Sequence, residues 1–195
     1  PSACQTISKS STLDLDLIVR DNYCLNTSNY NTANYFITEL ETEGCSTNIN
    51  YNASVAPLKN YTYYTENQID SQVSNTFFMN FYLSENSNCA RPNIWVDWNQ
   101  DGDFNDTDEK AFQGGNSETC LNSLNYSVPI TIPNHASSGT ARMRIMVKDS
   151  WLTASPCDMD QAFSTVDFEI NIASTSNVMC APLLTYPIEN STLTQ

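Results

Sequence analysis

Apolar residues along this chain recur with the period of a strand rather than that of a helix. Leu13, Leu15 and Leu17 alternate with Asp14 and Asp16, as on a strand with one face in water. Asn93 to Trp98 sets Ile94, Val96 and Trp98 against Asn93, Trp95 and Asp97. The same alternation runs through Tyr126–Ile132, Ala141–Val147 and Val166–Ile172. Thr76–Leu83 is an aromatic-rich run bounded by Asn75 and Ser84. Weaker stretches lie at Tyr35–Glu41, Asn48–Val55 and Tyr61–Thr65. Turns rich in Asn, Ser, Thr, Gly and Pro join them, and no long segment keeps a helical stripe. The pattern predicts an all-β fold, an antiparallel β-sandwich of about eight or nine strands with wet outer faces.

After Ile172 the pattern stops. Residues 1–173 are read as the sandwich domain. Residues 174–195, with Pro182 and Pro187, are read as a linker or the truncated start of a following β-sandwich module of fibronectin or immunoglobulin type.

Charge narrows the partners. Lys plus Arg is 8 against 22 Asp plus Glu, a formal charge of −14. Nucleic-acid binders neutralise phosphates with cations, so that class is excluded. An anionic membrane surface is disfavoured for the same reason. No apolar run is long enough to span a bilayer as a helix, and the opening PSACQTISKS does not read as a signal peptide.

Seven cysteines stand at 4, 24, 45, 89, 120, 157 and 180, with no CxxC pair and a single histidine, His135. A zinc site built from closely spaced ligand pairs is therefore not expected. Separated cysteines in a polar chain point to disulfides and an oxidising compartment, so the expected location is extracellular or on the cell surface. Cys24–Cys45 and Cys89–Cys120 are the favoured pairings, although spacing does not fix connectivity. The six N-x-Ser/Thr matches at Asn26, Asn52, Asn60, Asn105, Asn125 and Asn190 are read as a solvated, turn-rich surface.

The chemistry is concentrated in Asp97–Glu109, DWNQDGDFNDTDE. Calcium takes six to eight oxygen ligands at ~2.3–2.6 Å, and alternating oxygen-bearing side chains on a tight loop supply them. Asp97, Asn99 and Asp101 take the first, third and fifth positions of an EF-hand-like loop, and Gly102 the sharp turn. Asp103, Asn105, Asp108 and Glu109 are the remaining candidate ligands, and Phe104 is the apolar anchor. Six carboxylates in this stretch repel one another without a counter-ion. The loop follows a strand, so Ca²⁺ is expected to rigidify a strand connection rather than to open a helix pair.

Trp95-Val96-Asp97-Trp98-Asn99-Gln100-Asp101-Gly102-Asp103-Phe104, then Thr131-Ile132-Pro133, then Gly139-Thr140-Ala141-Arg142-Met143-Arg144, resemble the GEVED domain family. Tyr23-Cys24 and Asn60-Tyr61-Thr62 are similar to that family's opening, and the resemblance covers roughly residues 22–173. Ser164-Thr165-Val166-Asp167-Phe168 stands where the naming motif would be; Asp167 and Phe168 match it, while Ser164 and Val166 replace its two Glu. The resemblance implies a β-sandwich accessory domain of secreted bacterial proteins, found beside peptidases, adhesion modules and fibronectin-like repeats.

No catalytic constellation is expected. His135 sits in a turn, and with five glycines in the chain no Gly-rich phosphate loop is found. Aromatics are the feature a binding module would use, and Trp151, Tyr63 and Tyr64 are the candidate ligand-binding residues. The expected function is a non-catalytic, calcium-binding extracellular module that binds a glycan or a protein, in adhesion or substrate capture. The alternatives are a structural subunit of an extracellular fibre or surface layer, bound to further copies of itself, and an accessory domain of a secreted peptidase.

Overall fold

Alternation in sequence becomes alternation in burial. Along Thr76–Leu83, Phe77, Met79, Phe81 and Leu83 are buried while Thr76, Phe78 and Tyr82 are exposed. The computed structural model describes residues 23–24, 35–53, 61–84, 89–115, 123–149, 154–157 and 162–174. Among them run ten strands: β1 (Ile37–Glu43), β2 (Asn50–Asn52), β3 (Tyr61–Tyr63), β4 (Ile69–Gln72), β5 (Thr76–Leu83), β6 (Ala90–Val96), β7 (Lys110–Gln113), β8 (Asn125–Thr131), β9 (Gly139–Asp149) and β10 (Ala162–Ala173). The Leu13–Leu17 stretch and residues 175–195 lie outside the described residues.

The strands form two sheets. One has the order β2-β1-β5-β8; the other has the order β3-β10-β9-β6-β7, with β4 also on β10. The core between them takes Leu40 and Phe81 from the first sheet and Ile94, Met143, Ile145, Val166 and Phe168 from the second. This is the expected all-β sandwich, with two departures. β4 and β7 carry too few apolar residues to show as alternation in sequence. The ladders of β3 and β4 with β10 are parallel rather than antiparallel. Parallel pairing needs a long connection, and most of the domain separates β3 and β4 from β10.

The wet outer face expected for β9 is also corrected. Arg142, Arg144, Met146 and Lys148 point away from the main core, yet all four are buried. Tyr23, Trp95, Phe104 and Met146 form a second apolar cluster there, with Cys24, Tyr61 and Ala154 packed against it. Trp98, by contrast, belongs to the main core. The six-stranded sheet is thus sandwiched a second time, by chain segments rather than by another sheet.

A disulfide fixes this cover. Cys24 is bonded to Cys157, not to Cys45. Cys89 is also disulfide-bonded, to a cysteine outside the described residues. Cys45 is free and half-buried, and burial pushes its thiol up to about 11, so it stays protonated and unreactive at neutral pH.

Candidate metal centre

The acidic loop is the connection of the β6–β7 hairpin. The Val96 N–H donates to the Glu109 carbonyl at 2.8 Å, so the hairpin closes directly below the loop. Asp97 leaves the end of β6, its own N–H bonded to the Arg142 carbonyl at 3.0 Å.

Inside the loop, side-chain oxygens organise the backbone in steps of two. Asn99 Oδ1 accepts from the Asp101 N–H at 3.1 Å, Asp101 Oδ1 from the Asp103 N–H at 3.2 Å, and Asp103 Oδ1 from the Asn105 N–H at 2.8 Å. These are successive Asx turns, the local reason that Asn and Asp recur at this spacing. Gly102 has φ +98°, the left-handed conformation that glycine adopts without strain. Its N–H and that of Asp101 point back at the fully buried Asp97 carboxylate, at 3.1 and 3.2 Å.

Asp97, Asp101 and Glu109 come together, each offering one carboxylate oxygen within 4.8 Å of the others. Oxygens bound to one calcium at ~2.4 Å lie no more than about 4.8 Å apart, so the three are close enough to share an ion. Glu109 is 1% exposed; its Oε2 accepts from the Asp106 N–H at 3.1 Å, while its Oε1 is buried with no hydrogen-bond partner. Burial first, then the Asp97, Asp106 and Asp101 charges, push the Glu109 acid up to about 7, against the opposing bond from the Asp106 backbone. A carboxylate so placed needs either a proton or a cation. The triad can therefore hold a metal ion.

The other sequence candidates stand around the triad. Asn99, Asp103 and Asn105 take part in the Asx turns, and Asn99 Nδ2 also donates to Asp106 at 2.6 Å. Asp108 is paired with His135 at the surface. Tyr63 is partly exposed, but its ring covers the Arg142 guanidinium at 4.1 Å and its hydroxyl donates to Glu169. Tyr64 lies in the main core, its hydroxyl donating to the Asn50 carbonyl at 3.1 Å. Trp151 lies outside the described residues.

A charged network behind the loop shows only in three dimensions. Tyr23 donates its hydroxyl to Asp97, and its ring packs on Phe104 at 5.1 Å. Burial, and then that bond, push the Tyr23 hydroxyl well above its ordinary range, so it remains a donor. Arg142 lies between the rings of Tyr23 and Tyr63. Asp167, fully buried, receives both Nε and Nη2 of Arg144 at 2.7 and 2.8 Å, and the Tyr61 hydroxyl at 3.0 Å. Arg144 Nη1 reaches the Pro156 carbonyl at 2.9 Å, beside the disulfide. Alternating Arg142 and Arg144 was the available sequence signal, but on its own it reads as solvated charge.

Residues 91–171 match the family model of the GEVED domain, so this segment, from β6 into β10, carries that domain. No curated protein matches the sequence. Among solved structures, the crystal structure of a chitin binding domain from Burkholderia pseudomallei is similar with a TM-score of 0.40 and 10% identity, over 55% of this chain and 57% of that one. The chain thus spans a little over half the length of that protein, and a likeness of this size says nothing about ligand.

Proposed function

We propose that the chain is a non-catalytic, calcium-stabilised β-sandwich module of a secreted or cell-surface protein, working in adhesion or substrate binding. The observation that carries the metal reading is Glu109 Oε1, a buried carboxylate oxygen without a partner beside two further carboxylates. A hard dication suits an all-oxygen set, and a loop with several spare oxygens suits calcium's high coordination number better than the strict octahedron of magnesium. Asp97, Asp101 and Glu109 are the anchoring ligands in this reading. Asn99, Asp103 and Asn105 supply the turn geometry and outer oxygens, while Asp108 is held at the surface by His135.

The ion offsets the repulsion of the loop carboxylates and fixes the β6–β7 connection. Through Asp97 and Tyr23 it also fixes the cover over the outer face of β9. The Cys24–Cys157 bond supports an oxidising, extracellular setting.

Calorimetric titration with Ca²⁺, beside melting curves in calcium and in chelator, tests this. A ligand at a hundred times its dissociation constant adds about 2.7 kcal/mol, a rise of several degrees in Tm. Glu109→Gln should remove most of the gain. Identical melting curves in calcium and chelator, with no heat of binding, would rule the reading out.

A further inference from the structure

The outer face of the four-stranded sheet carries a charge pattern of its own. Glu39, Glu41 and Glu43 are exposed at alternate positions of β1. In register across the ladder stand Tyr82 opposite Glu39, Asn80 opposite Glu41 and Phe78 opposite Glu43. Phe78 and Tyr82 are 46% and 39% exposed, two of the three large hydrophobic side chains exposed among the described residues. Every Lys and Arg of the described strands, Arg91, Lys110, Arg142, Arg144 and Lys148, lies in the other sheet. None of the three glutamates has an ion-pair partner among the described residues. A hollow of about 140 Å³ opens on the same sheet, lined by Glu39, Glu41, Asn50, Asn52 and Tyr82 among others.

We propose that this face docks an extended, basic peptide segment of a partner protein, with Lys or Arg at alternate positions. Charge complementarity fixes the sign of the partner: three carboxylates in a row with no cation beside them repel acidic ligands and attract basic ones. Pitch fixes its shape. Glu39, Glu41 and Glu43 repeat at about 6.8 Å, the same-face repeat of any extended chain. The aromatic pairs fix where the cations sit. At each end of the row a carboxylate faces a ring across the ladder, so an ammonium or guanidinium can meet charge on one side and a π face on the other. The central Glu41–Asn80 pair offers acceptors for a third. A neutral glycan could stack on the two rings but would leave all three charges unanswered. The proposal rests on reading the chain as a binding module, and not on its metal site.

The probe is a fluorescein-labelled decapeptide of alternating Lys and Ser, titrated against the full chain in saturating calcium at low and physiological salt. The controls are an isomer with its five lysines consecutive and an N-acetylglucosamine oligomer, which carries no charge. The triple variant Glu39→Gln, Glu41→Gln, Glu43→Gln should bind the alternating peptide about tenfold more weakly or worse. Phe78→Ser and Tyr82→Ser should each cost about threefold. The consecutive isomer should bind less well than the alternating one. Unchanged affinity in the triple variant, equal affinity for the two isomers, no peptide binding at low salt, or preference for the N-acetylglucosamine oligomer would each overturn the proposal. Calcium affinity is measured on the same proteins, and its retention in the triple variant separates failure of this docking from failure of the metal reading.

Discussion

Replacing Asp167 with Asn removes the charge from a carboxylate that accepts two bonds from Arg144, one from Tyr61 and a longer one of 3.5 Å from Arg142. Asp167 and Arg144 are both fully buried. The variant keeps the volume but leaves two guanidinium groups under the cover of Tyr23, Phe104 and Tyr61 with no carboxylate between them. Breaking a buried ion pair by neutralising one partner costs about 3–5 kcal/mol, because the other charge stays desolvated. In a chain of this size each kcal/mol moves Tm by roughly 2–4 °C, so the expected fall is roughly 6–20 °C. Urea unfolding in saturating calcium measures it with the metal site filled, and an unchanged m-value would show that unfolding still exposes the same surface. Arg144→Met combined with Asp167→Asn should lose less than the sum of the two, with a coupling of about 1 kcal/mol or more. A loss below about 1 kcal/mol for Asp167→Asn would refute the reasoning, since it would place the pair in effective contact with water.

Three further outcomes are expected. In metal-free buffer the raised Glu109 acid favours the folded state below its unfolded value near 4.5, and that contribution is lost as pH rises through about 7. The Tm difference between calcium and metal-free buffer should therefore widen from pH 5 to pH 8 and flatten in Glu109→Gln; an equal difference at both pH values in the parent protein counts against it. Gly139→Ala places a Cβ at φ +126° and 2.9 Å from Gln100 Oε1, and should cost about 1–3 kcal/mol by urea unfolding; a neutral result would mean that this backbone is free to relax. The Cys24→Ser, Cys157→Ser pair opens a link across 133 residues. Loop-closure entropy sets the loss at up to about 5 kcal/mol, and calcium affinity should fall with it as Tyr23 leaves Asp97; unchanged calcium binding would disconnect the two.

The central strands were legible because each has one face in the core. β6, β9 and β10, and the edge strand β8, follow from alternation, while β5 showed as an aromatic-rich run between polar residues. β4 and β7 were not, because strands of four residues carry too little period. The acidic loop was legible because turn chemistry and ligand chemistry use the same residues at the same spacing. Which acids meet was not: Asp108 is as close in sequence as Glu109, but the hairpin turns Glu109 inward and leaves Asp108 to His135. Tyr63 and Tyr64 are neighbours with opposite fates, one partly exposed and one in the core, since adjacent residues of an extended chain point opposite ways. The Asp167–Arg144 centre and the Cys24–Cys157 bond depend on the first described residues folding over the outer face of β9, which no local pattern encodes.

The Cys24–Cys157 bond has a mechanical consequence. A pull applied at residue 24 and at the end of β10 does not run through the sandwich. It passes across the disulfide to Cys157 and reaches Ala173 through β10 alone. Everything between residues 24 and 157 is covalently shielded from the load. The yielding element is β10, gripped on one edge by β9 and on the other by β3 and β4. Tearing it out would release at most roughly 55 Å of chain, against several hundred ångströms if the bond were absent. A module wired this way lengthens little under tension, and reduction converts it from a stiff link into an extensible one.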